Sequence, residues 1–272
     1  MNHKTLSKAF DIEFSAIDTR EGWVGGRPVG IQTVQWPRSR VNGLPMAHIW
    51  TFKVPEAYRV KGEEYLALSL FQADDHVANS VGGVSEVLSG EKDMGDLPAP
   101  EFWEELREYR GNRHPMEIYL EDIIMGGWAL IWLKKEEFES DFTELPNQAT
   151  CTFPGYKSYD GTSCFIHDLP PRYIQLKERE DDPNIGRPLE DFPDEADETA
   201  YISMVSKKGQ ELRLQKKFFG KTHFGGTANP IQATPKFSPF YLEFEEGFGN
   251  ANMGGGNGQI DLLNDKLDWA CG

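Results

Sequence analysis

Two stretches of this chain repeat one another 200 positions apart. Residues 25–33 read GGRPVGIQT and residues 225–233 read GGTANPIQA. Each has a Gly-Gly pair, a four-residue spacer holding a proline, then Ile-Gln and a small residue. Gly25-Gly26 and Gly225-Gly226 mark turns that need positive φ, and Pro28 and Pro230 stop any helix from running through them. Trp23 and Phe224 precede the two pairs. Trp36-Pro37 follows the first, and Pro235-Lys236-Phe237 follows the second. Two strand-like runs come next in each copy: Met46–Val54 and Tyr65–Phe71, then Phe240–Phe244 and Gly258–Leu263. A turn leading into a hairpin, occurring twice, predicts two related subdomains built on antiparallel sheet.

The rest of the chain fits that class. Phe10–Ile17 alternates as a strand. Pro100–Tyr109 predicts a helix that ends by Gly111, with Phe102, Trp103 and Leu106 on its apolar side. Met116–Leu120 and Trp128–Leu133 predict strands around a Gly126-Gly127 turn, and Tyr201–Val205 predicts a short one. No long alternation of strands and helices occurs, which argues against a doubly wound parallel sheet. The fold class expected is α+β, mostly antiparallel sheet, with two related subdomains and few helices. Aromatic residues make up 12% of the chain, enough to build a core and too many for disorder. The seven tryptophans are expected mostly in that core.

Charge is unevenly spread. The chain carries 44 acidic against 28 basic residues, a formal net charge of −16. Residues 178–198 hold ten acidic and two basic residues, so half the net charge lies in 21 positions. Pro183, Pro188 and Pro193 keep that segment from forming a long regular element. It is either a solvated linker or an anionic recognition surface. A net charge of this sign disfavours direct binding to nucleic acid or to an anionic membrane. Three cysteines are too few for a disulfide framework, no apolar run is long enough to span a bilayer, and no signal-peptide pattern opens the chain. A cytoplasmic protein is therefore expected.

Chemical motifs are sparse. Cys151, Cys164 and His167 have neither the spacing nor the fourth ligand of a zinc site, and no metal or cofactor is expected. There is no nucleophile elbow, and the Cys164–His167 spacing does not make a catalytic pair. The run Gly254-Gly255-Gly256-Asn257-Gly258 lacks the preceding strand, following helix and Gly-Lys of a phosphate loop. Asp74-Asp75-His76, just after a strand-like run, could serve acid–base chemistry or simply cap a turn. Glu104, Glu105 and Glu108 form a solvated helix face.

Gly25-Gly26 with its following proline, Gln35-Trp36-Pro37, and Gly43-Leu44-Pro45-Met46 leading into an apolar strand resemble the YwqG-like family, a bacterial family of unknown function. His223-Phe224-Gly225-Gly226, Ile231-Gln232, the Phe240–Phe244 strand, the glycine-rich run at 254–258 and Trp269 resemble it in the second half. Gly256-Asn257 stands where the family carries an acidic residue. The resemblance covers roughly residues 20–85 and 220–270. It implies an α+β fold with two related halves, here 1–150 and 216–272 joined by an acidic connecting region at 151–215, packed as one compact unit. It brings no catalytic residues. It implies kinship with proteins that protect bacteria against secreted toxins.

These readings converge on a non-catalytic binding protein, an immunity protein that neutralises a basic, nuclease-like toxin through an acidic surface. Such toxins are basic because their substrate is anionic, and an acidic inhibitor steers onto the same face. The expected partner contacts are Asp181, Asp182, Glu190, Asp191, Asp194, Glu195, Asp197 and Glu198, with Phe192 or a tryptophan nearby. Gly25, Gly26, Ile31, Gln32, Trp36, Gly225, Gly226, Ile231 and Gln232 are expected to shape the fold. The alternatives are a small-molecule enzyme using Asp74, Asp75 and His76, and a scaffold or regulatory module with another protein partner.

Overall fold

The computed structural model describes residues 6–73, 80–95, 99–122, 124–146, 170–191, 193, 197–249 and 251–272. Its strands are β1 (Ala9–Phe14), β2 (Gly22–Val24), β3 (Ala47–Lys53), β4 (Tyr65–Gln72), β5 (Glu117–Glu121), β6 (Gly127–Lys134), β7 (Arg172–Arg179), β8 (Thr222–Phe224), β9 (Tyr241–Glu245), β10 (Asn257–Asp261) and β11 (Lys266–Ala270). The helices among the described residues are α1 (Val84–Ser89), α2 (Pro100–Asn112), α3 (Lys135–Phe138), α4 (Lys207–Glu211) and α5 (Leu214–Phe218). Sheet dominates and helices are few and mostly short. No described helix is long and apolar enough to cross a membrane.

The chain forms two compact units, neither continuous in sequence. The first comprises Met1–Val24, Lys53–Leu66 and Arg172–Gly272; the second comprises Gly25–Phe52 and Ala67–Pro171. The strands of the first unit lie in the order β11-β10-β9-β8-β1-β7-β2. Each neighbouring pair in this order is antiparallel. The segment 178–198 lies wholly within this unit.

Register divides the faces of the first unit's sheet. Side chains directly opposite across antiparallel strands share a face. One row therefore runs Lys177, Asp11, His223, Glu243, Gln259, Asp268 from β7 to β11. The row displaced by one residue runs Leu176, Ile12, Thr222 and, across β8 to β10, Phe224, Leu242, Ile260. One face is thus apolar and the other carries a polar row. His223, Glu243 and Gln259 of that row are nevertheless buried.

In the second unit the order is β3-β4-β6-β5, with β5 and β6 forming an antiparallel hairpin. The Asp122 carboxylate accepts from the backbone N–H groups of Ile124 and Gly126 at the hairpin tip and from Trp128 Nε1 at 2.9 Å. Helix α2 starts with Pro100 at its first turn, as its sequence predicts, and buries Phe102, Trp103, Leu106 and Tyr109. Trp36, Trp50, Trp103, Trp128 and Trp132 are fully buried. Trp36 donates its indole N–H to the Met46 carbonyl at 2.8 Å and meets Phe71 edge-on.

The expected strand at Tyr201–Val205 does not form. The Asn184 side-chain amide takes the place of a neighbouring strand: its Nδ2 donates to the Ile202 carbonyl and its Oδ1 accepts from the Ile202 N–H, both at 2.8 Å. With both polar groups of Ile202 satisfied by one side chain, the backbone needs no sheet partner.

Candidate functional site

The two Gly-Gly turns share left-handed φ angles. Gly25, Gly26, Gly225 and Gly226 all have φ between 59° and 82°. Gly25 N–H donates to the Ile49 carbonyl and Gly225 N–H to the Tyr241 carbonyl, each at 2.8 Å. The hairpins that follow close alike: Val54 N–H donates to Leu66 O, and Glu246 N–H to Gly256 O. Their inner polar pairs also correspond, Thr51 with Ser69 at 2.6 Å and Gln259 with Glu243 at 2.9 Å. The Ile-Gln positions differ. Ile31 is buried, and Gln32 enters a short 3-10 turn. Ile231 and Gln232 are exposed, with Gln232 donating to the Cys271 carbonyl.

Beneath the second turn lies a buried polar network. Arg179, at the end of β7, contacts Asp11 of β1 at 2.6 Å and Asp182 at 3.1 Å, and donates to the Thr227 carbonyl. Asp182 also accepts from Thr227 N–H and Thr227 Oγ1 at 2.7 Å each, and from Asn184 N–H at 2.9 Å. Gly226 makes this approach possible, because a Cβ there would stand 2.5 Å from Asp182 Oδ2. A carboxylate buried beside a guanidinium and met by three further donors is compensated for its lost hydration. The sequence places Asp182 among the expected partner contacts. It is instead buried and fully engaged inside the unit.

Further contacts hold residues 182–189 of the acidic segment within the unit. Leu189 is buried in a cluster with Tyr201, Ala228, Phe237 and Tyr241, and forms an isolated bridge with Phe237. Arg187 donates to the Ala200 carbonyl. Along this strap Asp181, Asp191, Asp197 and Glu198 are exposed and Glu190 is partly exposed. The Asp197 carboxylate accepts from the Thr199 hydroxyl and N–H, which holds its pKa below the ordinary value. Asp194, Glu195 and Phe192 lie outside the described residues. So do Asp74, Asp75, His76, Cys151, Cys164 and His167.

Further along the same polar face, His223 donates from Nδ1 to the Gly225 carbonyl at 2.7 Å, and its Nε2 lies 3.2 Å from Glu243 Oε1. Glu243 accepts from Asn229 N–H and Gln259 Nε2. At the open end, β1 and β9 outrun the three-residue β8, leaving a notch of about 350 Å³ lined by Asp11, Glu13, Phe14, Lys221, Thr222, Glu245 and Phe248 among others. Lys221 pairs with Asp11 at 2.5 Å. Burial pushes the Asp11 carboxyl upward, but Arg179 and Lys221 outweigh it and hold the pKa below its ordinary 3.8. Glu245 is shifted upward by burial and by the Glu243 charge.

The glycine-rich run at 254–258 wraps a carboxylate of its own chain at its start. The N–H groups of Met253 and Gly255 both donate to Glu246 Oε2, so the chain's own carboxylate fills the place an anion would take. Among the described residues no group of three or more His, Cys, Asp or Glu side chains could hold a metal ion. Comparisons with family models, with curated proteins and with solved structures found no match to this chain.

Proposed function

We propose that this chain is a non-catalytic binding protein of the YwqG-like type, a bacterial immunity protein of the cytoplasm that neutralises a basic, nuclease-like toxin through its acidic strap. The observation that carries the reading is the anchor. Asp182, Asn184 and Leu189 are tied into the unit while Asp181, Asp191, Asp197 and Glu198 face solvent on the same stretch of chain. A freely solvated linker has no need of such ties. A surface anchored through Asp182, Asn184 and Leu189 loses less entropy on binding, and the carboxylates beside it accelerate encounter with a basic surface. We also infer that the two strand, Gly-Gly and hairpin segments are copies of one ancestral unit, on the strength of their matching turns and hydrogen bonds.

The test is titration of the chain against a basic toxin domain encoded beside its gene, compared with the variant D181N/E190Q/D191N/D197N/E198Q. The reading expects inhibition of the toxin by the native chain. It also expects weaker binding and a shallower salt dependence in the variant. Equal affinity and equal salt dependence for both chains would exclude the strap as the interface.

The notch at the end of β8 supports a second reading. Its volume falls in the range of small-ligand sites, and it combines carboxylates, a lysine and two phenylalanines. A small-molecule function would use Asp11, Lys221 and Glu245 and leave the strap uninvolved.

A further inference from the structure

The net charge of the chain conceals a basic stretch immediately after the strap. Residues 205–221, VSKKGQELRLQKKFFGK, hold six basic side chains and one acidic. They form α4 and α5, joined at Arg213 in the left-handed conformation. Gly209, Leu214 and Phe218 face inward. Lys207, Lys208, Arg213, Lys216 and Lys217 are all exposed. Among the described residues none of these five makes an ion pair, in a chain with 44 carboxylate side chains. Three exposed apolar side chains accompany them in sequence, Val205 before (77% exposed), Leu212 among (39%) and Phe219 after (60%). Exposed apolar groups rimmed by charge mark an interaction surface.

The complementary surface is on the same chain. The strap presents Asp181, Glu190, Asp191 and Glu198 interleaved with the partly or fully exposed rings of Pro183, Pro188 and Pro193. Among the described residues none of these four carboxylates pairs with the basic stretch. Both surfaces are rooted in one joint, the double hydrogen bond between the Asn184 amide and Ile202. Acid alternating with proline on one surface matches base alternating with apolar side chains on the other. Among the described residues, Lys221 alone of the six basic side chains forms an ion pair, with Asp11.

We propose that the basic stretch of one copy docks on the acidic strap of a second copy. A two-fold arrangement satisfies both surfaces at once, each strap meeting the other copy's α4–α5 stretch. Charges elsewhere on the two acidic molecules are screened beyond about 8 Å at physiological ionic strength, whereas facing pairs are not. The inference rests on the same strap as the proposed function and adds a consequence: a basic partner and a second copy compete for it.

Sedimentation equilibrium tests the inference on the native chain and two charge-reversed variants, K207E/K208E/K216E/K217E and E190K/D191K/E198K. Circular dichroism verifies that both variants are folded. The native chain is expected to self-associate reversibly, with dissociation rising about tenfold or more between low and physiological salt. Each variant alone is expected to be monomeric, since like now faces like. An equimolar mixture of the two is expected to recover association, because each reversed surface then meets its complement. A monomeric native chain, or association that persists in both variants, overturns the inference. So does a monomeric native chain that co-sediments with phosphatidylglycerol vesicles through the four lysines, which would make a lipid surface the occupant. The two readings separate cleanly. A native chain that stays monomeric yet inhibits the basic toxin refutes only self-docking. One that self-associates yet ignores the toxin refutes only the immunity reading.

Discussion

Replacing Asp182 by alanine is expected to be the most damaging single change on the strap. Four donors converge on its carboxylate: Arg179, Thr227 N–H, Thr227 Oγ1 and Asn184 N–H. Arg179 keeps Asp11 as an acceptor when that carboxylate is removed, whereas the Thr227 hydroxyl still accepts from Asn184 Nδ2 but its own O–H loses its acceptor. The N–H groups of Asn184 and Thr227 are left buried and unpaired, at about 1–3 kcal/mol each. Removing one partner of a buried ion pair costs about 3–5 kcal/mol, and the two routes agree on that scale. At about 2–4 °C per kcal/mol for a chain of this size, melting should fall by about 6–20 °C. Asp182→Asn keeps one acceptor and should lie between native and alanine. Asp191→Asn, on exposed strap, should stay within about 0.5 kcal/mol of native. Urea denaturation followed by circular dichroism gives the free energies, and hydrogen exchange at the amides of Asn184 and Thr227 locates the loss. If Asp182→Ala matched Asp191→Asn in stability and left both amides protected, the strap would not be anchored as argued.

Three further outcomes follow from the geometry. Burial of His48, which donates from Nδ1 to Gly26 O and accepts from the Thr51 hydroxyl when neutral, lowers its pKa from 6.5 to about 4. The unfolded chain therefore binds the extra proton between those values, so stability rises with pH across that window; about 3 kcal/mol should be lost by pH 4, and urea midpoints of His48→Asn should lack that slope. Asp11 behaves as a carboxylate held low by Arg179 and Lys221: its contribution is present above pH 3.8 and vanishes as pH falls through its depressed folded value, and Asp11→Asn should flatten the acid limb of the same titration below pH 3.8. Gly226→Ala should destabilise more than Gly25→Ala, because both leave a positive φ at a residue with a side chain while only the first drives a Cβ against Asp182; thermal melts giving the reverse order would contradict the placement of Asp182.

The Gly-Gly turns were readable because only glycine accepts two consecutive positive φ angles cheaply, and that demand leaves a mark in the sequence. Helix α2 was readable from its initial proline and its apolar spacing. Strand β7 was hidden because its alternation rests on Ile174 and Leu176 alone, while Arg172, Lys177 and Glu178 are charged and its buried end is an arginine. The anchor was hidden for a different reason. Its contacts join Asp11 to Arg179 across 168 positions and Asp182 to Thr227 across 45, and no local pattern records such pairings. Composition therefore counted Asp182 with the exposed acids although it is buried. The basic stretch at 205–221 had a signal that averaging removed, since a net charge of −16 for the whole chain conceals a local excess of cations that a sliding charge count reveals.

The anchored strap is proposed as a recognition surface for a basic protein. The most direct measurement is the salt dependence of affinity for the basic toxin domain, taken in parallel for the native chain and for D181N/E190Q/D191N/D197N/E198Q, a variant that leaves Asp182 and its network intact. The native chain is expected to bind tightly with an affinity that weakens steeply with salt, and the variant to bind more weakly with a shallower slope and an unchanged melting temperature. Superimposable salt curves for the two chains would contradict that proposal.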